Sequence, residues 1–167
     1  MKPYQKLVRR WRADGLAIAA GVSEEGLRRF EKKYGITLSS VPDFREYLLS
    51  LDGMAQIGGQ DCDEKGFAFW PLSRIKSVAE ECSESKVETP RLDDIENYFA
   101  FADYMQWSWA YAIRVAPNQL GEILQFGTHS PRIVADSFSQ FVDAYLADSE
   151  QLYLPQGSSL EARLSKS

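Results

Sequence analysis

Apolar residues recur along this chain at two periods, and the expected structure changes where the period does. Tyr4, Leu7, Val8 and Trp11 stand at i, i+3, i+4 and i+7, the spacing of one helix face, which leaves Lys6, Arg9 and Arg10 on the wet side. A second helix is expected after Ser23, whose hydroxyl can cap it. Glu24 and Glu25 then fill its first turn, Leu27, Phe30 and Tyr34 its apolar stripe, and Gly35 its end. A third is expected from Pro42, since proline suits a first helical turn. Phe44, Tyr47, Leu48 and Leu51 would face inward and Gly53 would stop it.

Beyond Gly53 the period shortens. Gly53 to Gly66 is turn-rich, and Phe67-Ala68-Phe69-Trp70 reads as a short strand ending at Pro71. A short helix over Ser73 to Glu81 and an acidic connection through Pro90 come next. Tyr98 to Ala102, Trp109 to Val115 and Glu122 to Phe126 read as strands, punctuated by Pro117-Asn118 and Gly127. Phe99 and Phe101, then Trp109, Tyr111, Ile113 and Val115, alternate as in an antiparallel sheet with one covered face. Ser137 with Gln140 forms a capping-box pattern, followed by Phe138, Phe141, Val142, Tyr145 and Leu146 at helical spacing. The expectation is one α+β domain over residues 1–154, its mostly antiparallel sheet flanked by N-terminal helices and a C-terminal helix, with a polar tail over 155–167.

Composition narrows the class. The 167 residues, 44% hydrophobic and 13% aromatic, suffice for one sizeable core. The two cysteines, Cys62 and Cys82, are far apart, which argues against a disulfide framework and for a reducing, cytoplasmic setting. Met1-Lys2-Pro3-Tyr4 opens a basic amphipathic stretch without an apolar signal core, and no apolar run reaches the ~20 residues of a bilayer span, so no membrane partner is expected. The net charge of −5 is uneven. Up to Lys33 nine Lys/Arg stand against four Asp/Glu, whereas the remainder carries ten against twenty. Between Glu80 and Asp103 eight acids face only Lys86 and Arg91. Such a protein lacks the basic footprint of a nucleic-acid binder; a basic protein partner fits better.

The arrangement resembles the SUKH superfamily, which includes yeast cell-wall-assembly regulators and many bacterial toxin-immunity proteins. Leu27, Phe30-Glu31 and Gly35 resemble its opening helix and glycine. Pro42 to Gly53 looks like its Pro-x-x-aromatic helix leading to an Asn-Gly or His-Gly pair, with Asp52 here in place of Asn or His. Phe69-Trp70-Pro71-Leu72 with Ile75, the strand Phe99 to Asp103, and Val134-Ala135-Asp136-Ser137-Phe138 with Phe141 and Tyr145-Leu146 are similar to its later motifs. The match covers roughly Val22 to Leu146 and rests on order and spacing. It departs at Ser39-Ser40-Val41, which separates Leu38 from Pro42, and at Tyr104 to Trp109, where the family has a glycine-rich turn.

Candidate chemistry is sparse. His129 stands in the turn-like Thr128-His129-Ser130-Pro131 with no nucleophile arrangement beside it, and reads as a loop histidine rather than a catalytic base. Gly58-Gly59 lacks the strand-to-helix context of a phosphate loop. Asp61-Cys62-Asp63-Glu64 could suggest a hard-cation loop but lacks the ligand spacing that calcium needs, and reads as a solvated turn. No cofactor or metal is expected, and no enzymatic activity. Trp107, Trp109 and Tyr111 read first as core, with Trp107, beside Tyr104 and Met105, the best candidate for an interface aromatic.

The resemblance implies a protein-binding function: an immunity protein that neutralises a cognate toxin stoichiometrically, or else a regulatory or scaffold protein. A nuclease toxin must be basic to hold phosphates, so an acidic surface can cap its site and steer association. The expected partner-binding residues are Glu84, Asp93, Asp94 and Asp103 of the acidic stretch, with Tyr104 and Trp107 of the following hairpin.

Overall fold

The computed structural model describes residues 1–54, 62–117, 121–127 and 130–153. The polar tail, His129, the Gly58-Gly59 pair and Asp61 lie outside the described residues. Helix α1 (Pro3–Ala13) leads through β1 (Ile18–Ala20) into α2 (Glu24–Tyr34) and, after a 3-10 turn, α3 (Pro42–Ser50) and β2 (Leu51–Met54). Strands β3 (Phe67–Phe69) and β4 (Lys76–Ser77) precede α4 (Val78–Ser85). Then come β5 (Tyr98–Tyr104), β6 (Trp109–Arg114), β7 (Ile123–Phe126), β8 (Arg132–Ala135) and α5 (Phe138–Leu146).

The main sheet is antiparallel in the order β3-β5-β6-β7-β8, with β4 sharing β3's edge by pairing the start of β5. β1 and β2 form a separate two-stranded ribbon. The caps follow from the sequence. Ser23 accepts from the Gly26 N–H at 3.0 Å, Ser137 from the Gln140 N–H at 3.1 Å, and Gly35 ends α2 at φ +65°.

One face of the sheet is aromatic. Phe67, Phe69, Phe101 and Tyr111 are fully buried beneath α1, α3 and α5, where Trp11, Phe44, Tyr47, Phe138 and Phe141 meet them, and Phe99 is buried beneath Phe30 and Tyr34 of α2. Burying each ring is worth about 2 kcal/mol relative to leaving it in water, so this layer dominates the stability. Behind it Asp63 is almost fully buried. Its Oδ1 accepts the Lys65 and Phe67 N–H groups at 2.9 Å, and its Oδ2 the Tyr145 hydroxyl at 2.6 Å.

Besides the unforeseen strands β1, β4 and β8 and the burial of Asp63, which the sequence placed in a solvated turn, the structure differs from expectation in three places. The sheet is covered on both faces: Ala68, Ala100, Ala110 and Ala112, alternating with the aromatics, are also buried, and α4 meets this side along β5 and through the Trp107 ring. Alanine is apolar enough to face a core and small enough to admit a helix, so period-two alternation between aromatics and alanines does not mark a wet face. The helix expected over Ser73 to Glu81 instead runs from Val78 to Ser85, because Lys76 and Ser77 first pair with β5 and Ser77 then caps it. Gly53 does not stop α3. The chain turns extended at Leu51, and Gly53 sits inside β2 at φ +70°, where a Cβ would lie 2.6 Å from the Trp70 carbonyl carbon and 2.7 Å from the Phe69 oxygen.

Gly53→Ala meets both a left-handed backbone and a steric clash, whereas at Gly35 a Cβ has open space. Urea unfolding should therefore show a loss of about 1 kcal/mol for Gly35→Ala and a clearly larger one for Gly53→Ala. Equal losses would mean that β2 is not pressed against the Phe69–Pro71 backbone.

Candidate functional site

β5 and β6 are joined by Met105 to Ser108, and the turn is unusual for its residues. Met105, Gln106 and Trp107 have φ of +48°, +54° and +65°. A left-handed backbone costs a non-glycine residue about 1–2 kcal/mol, so three in a row need compensation from outside the turn. The backbone supplies part of it: Met105 N–H donates to the Gly66 carbonyl at 2.8 Å and Ser108 N–H to the Tyr104 carbonyl at 2.9 Å. Gly66 and Gly127 leave room for the turn's side chains. A Cβ on the first would fall 2.6 Å from the Met105 sulfur, and on the second 2.8 Å from the Trp107 ring. Trp107 packs edge-on against Phe126 at 5.8 Å, on the alanine face of the sheet.

Side chains supply the rest. Asp103, 4% exposed, stands at the end of β5 on this same face. Its Oδ1 accepts the Trp107 backbone N–H at 3.2 Å and its Oδ2 the Trp70 indole N–H at 2.7 Å. Arg74 lies 3.7 Å from Oδ2, with its guanidinium 4.0 Å from the centre of the Trp70 ring. Glu81, also 4% exposed, faces them from α4. Its Oε1 accepts the Trp107 indole N–H at 2.7 Å and the Ser85 hydroxyl at 3.2 Å, and its Oε2 lies 3.9 Å from the Lys76 ammonium. Lys76 in turn reaches Glu84 at 2.6 Å, and that hydrogen bond raises its ammonium pKa above the ordinary value. Two buried carboxylates thus share one indole-bearing turn, each with a cation at its outer side.

Of the residues expected at a binding surface, the fold brings three together: Asp103 and Trp107 directly, and Glu84 through Lys76. Tyr104 points to the other face, stacked on Trp109 at 4.5 Å. Asp94 lies at the opposite end of β5, paired with Arg114, which also reaches Glu122 at 3.1 Å. Asp93 beside it is exposed. Sequence reasoning missed Trp70, Arg74, Lys76 and Glu81. The spacing of Arg74 four residues after Trp70 was the one local signal, and the partnership of Glu81 with Trp107 spans 26 positions and leaves none.

The cluster can hold a shape and present a rim. Both carboxylates already receive strong donors, while Met105 (54% exposed), Glu84 and Arg74 reach the surface around them. Among the described residues no group of three His, Cys, Asp or Glu is placed to hold a metal ion, and no helix is long and apolar enough to cross a membrane.

Trp70→Phe takes a donor from a buried carboxylate and leaves a small cavity where the indole's second ring packs. Chemical denaturation should show a loss of about 2 kcal/mol or more, the usual cost of stripping a hydrogen bond from a buried charged group with a cavity cost added. A loss below about 0.5 kcal/mol, the level of an ordinary surface change, would contradict the network.

No curated protein matches the chain. The model of the SMI1 / KNR4 family (SUKH-1) matches residues 21–144, a span that starts before α2, ends within α5 and takes in the whole main sheet. By that match the chain belongs to the SMI1 / KNR4 family, SUKH-1.

Proposed function

We propose that this chain is a non-enzymatic, cytoplasmic immunity protein that neutralises a basic toxin domain by stoichiometric binding. The observation that carries the reading is the run of exposed acids that leads away from the rigid hairpin. Glu80, Glu84, Glu88, Asp93 and Glu96 are exposed along α4 and the connection after it, which runs from beside Trp107, whose indole Glu81 binds, to the opposite end of β5. The exposed Met105 and the partly buried Trp107 supply an apolar centre for a protein interface, and Glu84, close to Glu81 on α4, a charge at its rim. The acids complement a groove built to hold phosphates and steer its approach. The buried network supports the same role, because a turn held by two carboxylates reaches a partner already ordered and pays little entropy on binding. Family membership is compatible with a protein partner and leaves a second reading open: a regulatory or scaffold protein of the cell-wall-assembly kind.

Co-expression with a toxin encoded by the neighbouring gene distinguishes the two, since an immunity protein restores growth and a scaffold does not. In the purified pair, Asp93→Lys with Glu96→Lys should lower the association rate about tenfold at low salt while leaving dissociation nearly unchanged. An unchanged association rate would overturn the acidic docking face. Glu84 and Asp94 are left out of that variant because their reversal would also break the pairs with Lys76 and Arg114.

A further inference from the structure

The basic helix α1 has a use beyond folding. Leu7 and Trp11, its inner stripe, are fully buried. Three of its neighbouring cations are engaged within the fold: Lys2 with Glu46, Lys6 with Asp143 at 2.7 Å, and Arg10 with the Leu146 carbonyl at 2.8 Å. Arg9 and Arg12 are exposed and form no ion pair among the described residues. Beside them runs a second apolar strip. Tyr4 and Val8, one turn apart and half-buried, line an open groove of about 430 Å³ with Gln5, Arg9 and Arg12. On the helix's other flank Arg9 also lines a groove of about 340 Å³ that reaches Leu146 at the end of α5. The outward face of α1 therefore offers an apolar strip with two unpaired guanidinium groups along its solvent side.

We propose that this face docks an acidic amphipathic helix of a partner protein, its apolar stripe covering Tyr4 and Val8 and its carboxylates pairing with Arg9 and Arg12. Charge complementarity selects the occupant. Arginine forks match carboxylates bidentately, and the apolar strip beside them fits the i, i+4 anchors of a helix. A nucleic acid fits worse: two free guanidinium groups fall short of the roughly 6–10 phosphate contacts of a typical site, and the net charge of −5 opposes a polyanion. A membrane fits worse as well, because Leu7 and Trp11 are locked in the core and cannot insert. Trp11 packs on Phe69, on the aromatic face of the sheet, whereas Glu81 of α4 binds Trp107, whose ring packs on Phe126 of the alanine face. The docking face and the acidic surface around α4 thus lie on opposite sides, and an acidic helix here would not compete with a basic partner there. This inference stands whether or not that partner is a toxin.

The test titrates the full chain, 15N-labelled, with a synthetic helix bearing leucine at i, i+4 and i+7 and glutamate elsewhere. The same peptide with glutamine for glutamate is the control. Amide shifts should cluster at Tyr4, Val8, Arg9 and Arg12, and the glutamine peptide should bind weakly. Arg9→Gln with Arg12→Gln should lower affinity about tenfold while moving the thermal midpoint by no more than a few degrees, since neither side chain forms an ion pair among the described residues. Absence of shifts along α1, or equal binding of the glutamine peptide, would overturn the proposal. Larger shifts at Arg9 and Arg12 from a single-stranded oligonucleotide or from anionic vesicles would also overturn it, in favour of a polyanion surface.

Discussion

A carboxylate taken out of water must be given donors and positive charge, or the fold loses several kcal/mol. Two such groups, Asp103 at the end of β5 and Glu81 in α4, lie under the surface on the alanine face of the sheet. Their need is met by Trp70, Arg74 and Lys76 from the stretch between β3 and α4, and by Trp107 from the turn after β5. The obligation to satisfy both acids ties four separate pieces of chain together: the end of β3, the approach to α4, α4 itself and the β5–β6 turn. Hydrophobic burial accounts for the aromatic layer on the other face. It does not by itself choose the conformation of this turn.

That choice is where the chain departs from its family's pattern. Glycine enters a left-handed turn without penalty; Met105, Gln106 and Trp107 do not. Trp107 recovers the cost by using both of its N–H groups on acids, the backbone one on Asp103 and the indole one on Glu81. A glycine turn would be cheaper but could make only one of these bonds and would carry no ring to pack on Phe126. The strain exchanges conformational freedom for a fixed, partly apolar projection beside α4, which is the property a binding surface needs.

The parts of the fold that depend on neighbours in sequence were legible there. Ser23 and Ser137 cap the helices they were expected to cap, Gly35 ends α2, and the apolar stripes of α2, α3 and α5 are largely buried as their spacing implies, whereas α1 buries Leu7 and Trp11 and leaves Tyr4 and Val8 half-buried. What depends on distant partners was not. The two-residue β4, the ribbon of β1 with β2, and β8 are too short to carry a period of their own. Alanine alternation hid the second buried face. At the site Asp103 and Trp107 could be singled out as an acid and an aromatic beside a turn, but nothing local says that Asp103 is buried or that Glu81 and Trp70 complete its surroundings. Asp94 looked like its acidic neighbours, although Arg114, twenty residues on, pairs with it.

Charge separates the molecule as the sheet does, with the unpaired arginines of α1 on the aromatic side and the exposed acids of α4 on the alanine side. Between them the turn is rigid only if its tryptophan is held. The most direct measurement is hydrogen exchange of the four tryptophan indole N–H groups by NMR. Trp11, Trp70 and Trp109 donate to buried partners, and Trp107 donates to Glu81 from a partly exposed ring. If both carboxylates are satisfied as described, the Trp107 indole exchanges slowly, alongside that of Trp70. Exchange of Trp107 at the rate of free tryptophan, with Trp70 still protected, would show that the turn is not clasped to α4 and would contradict the network.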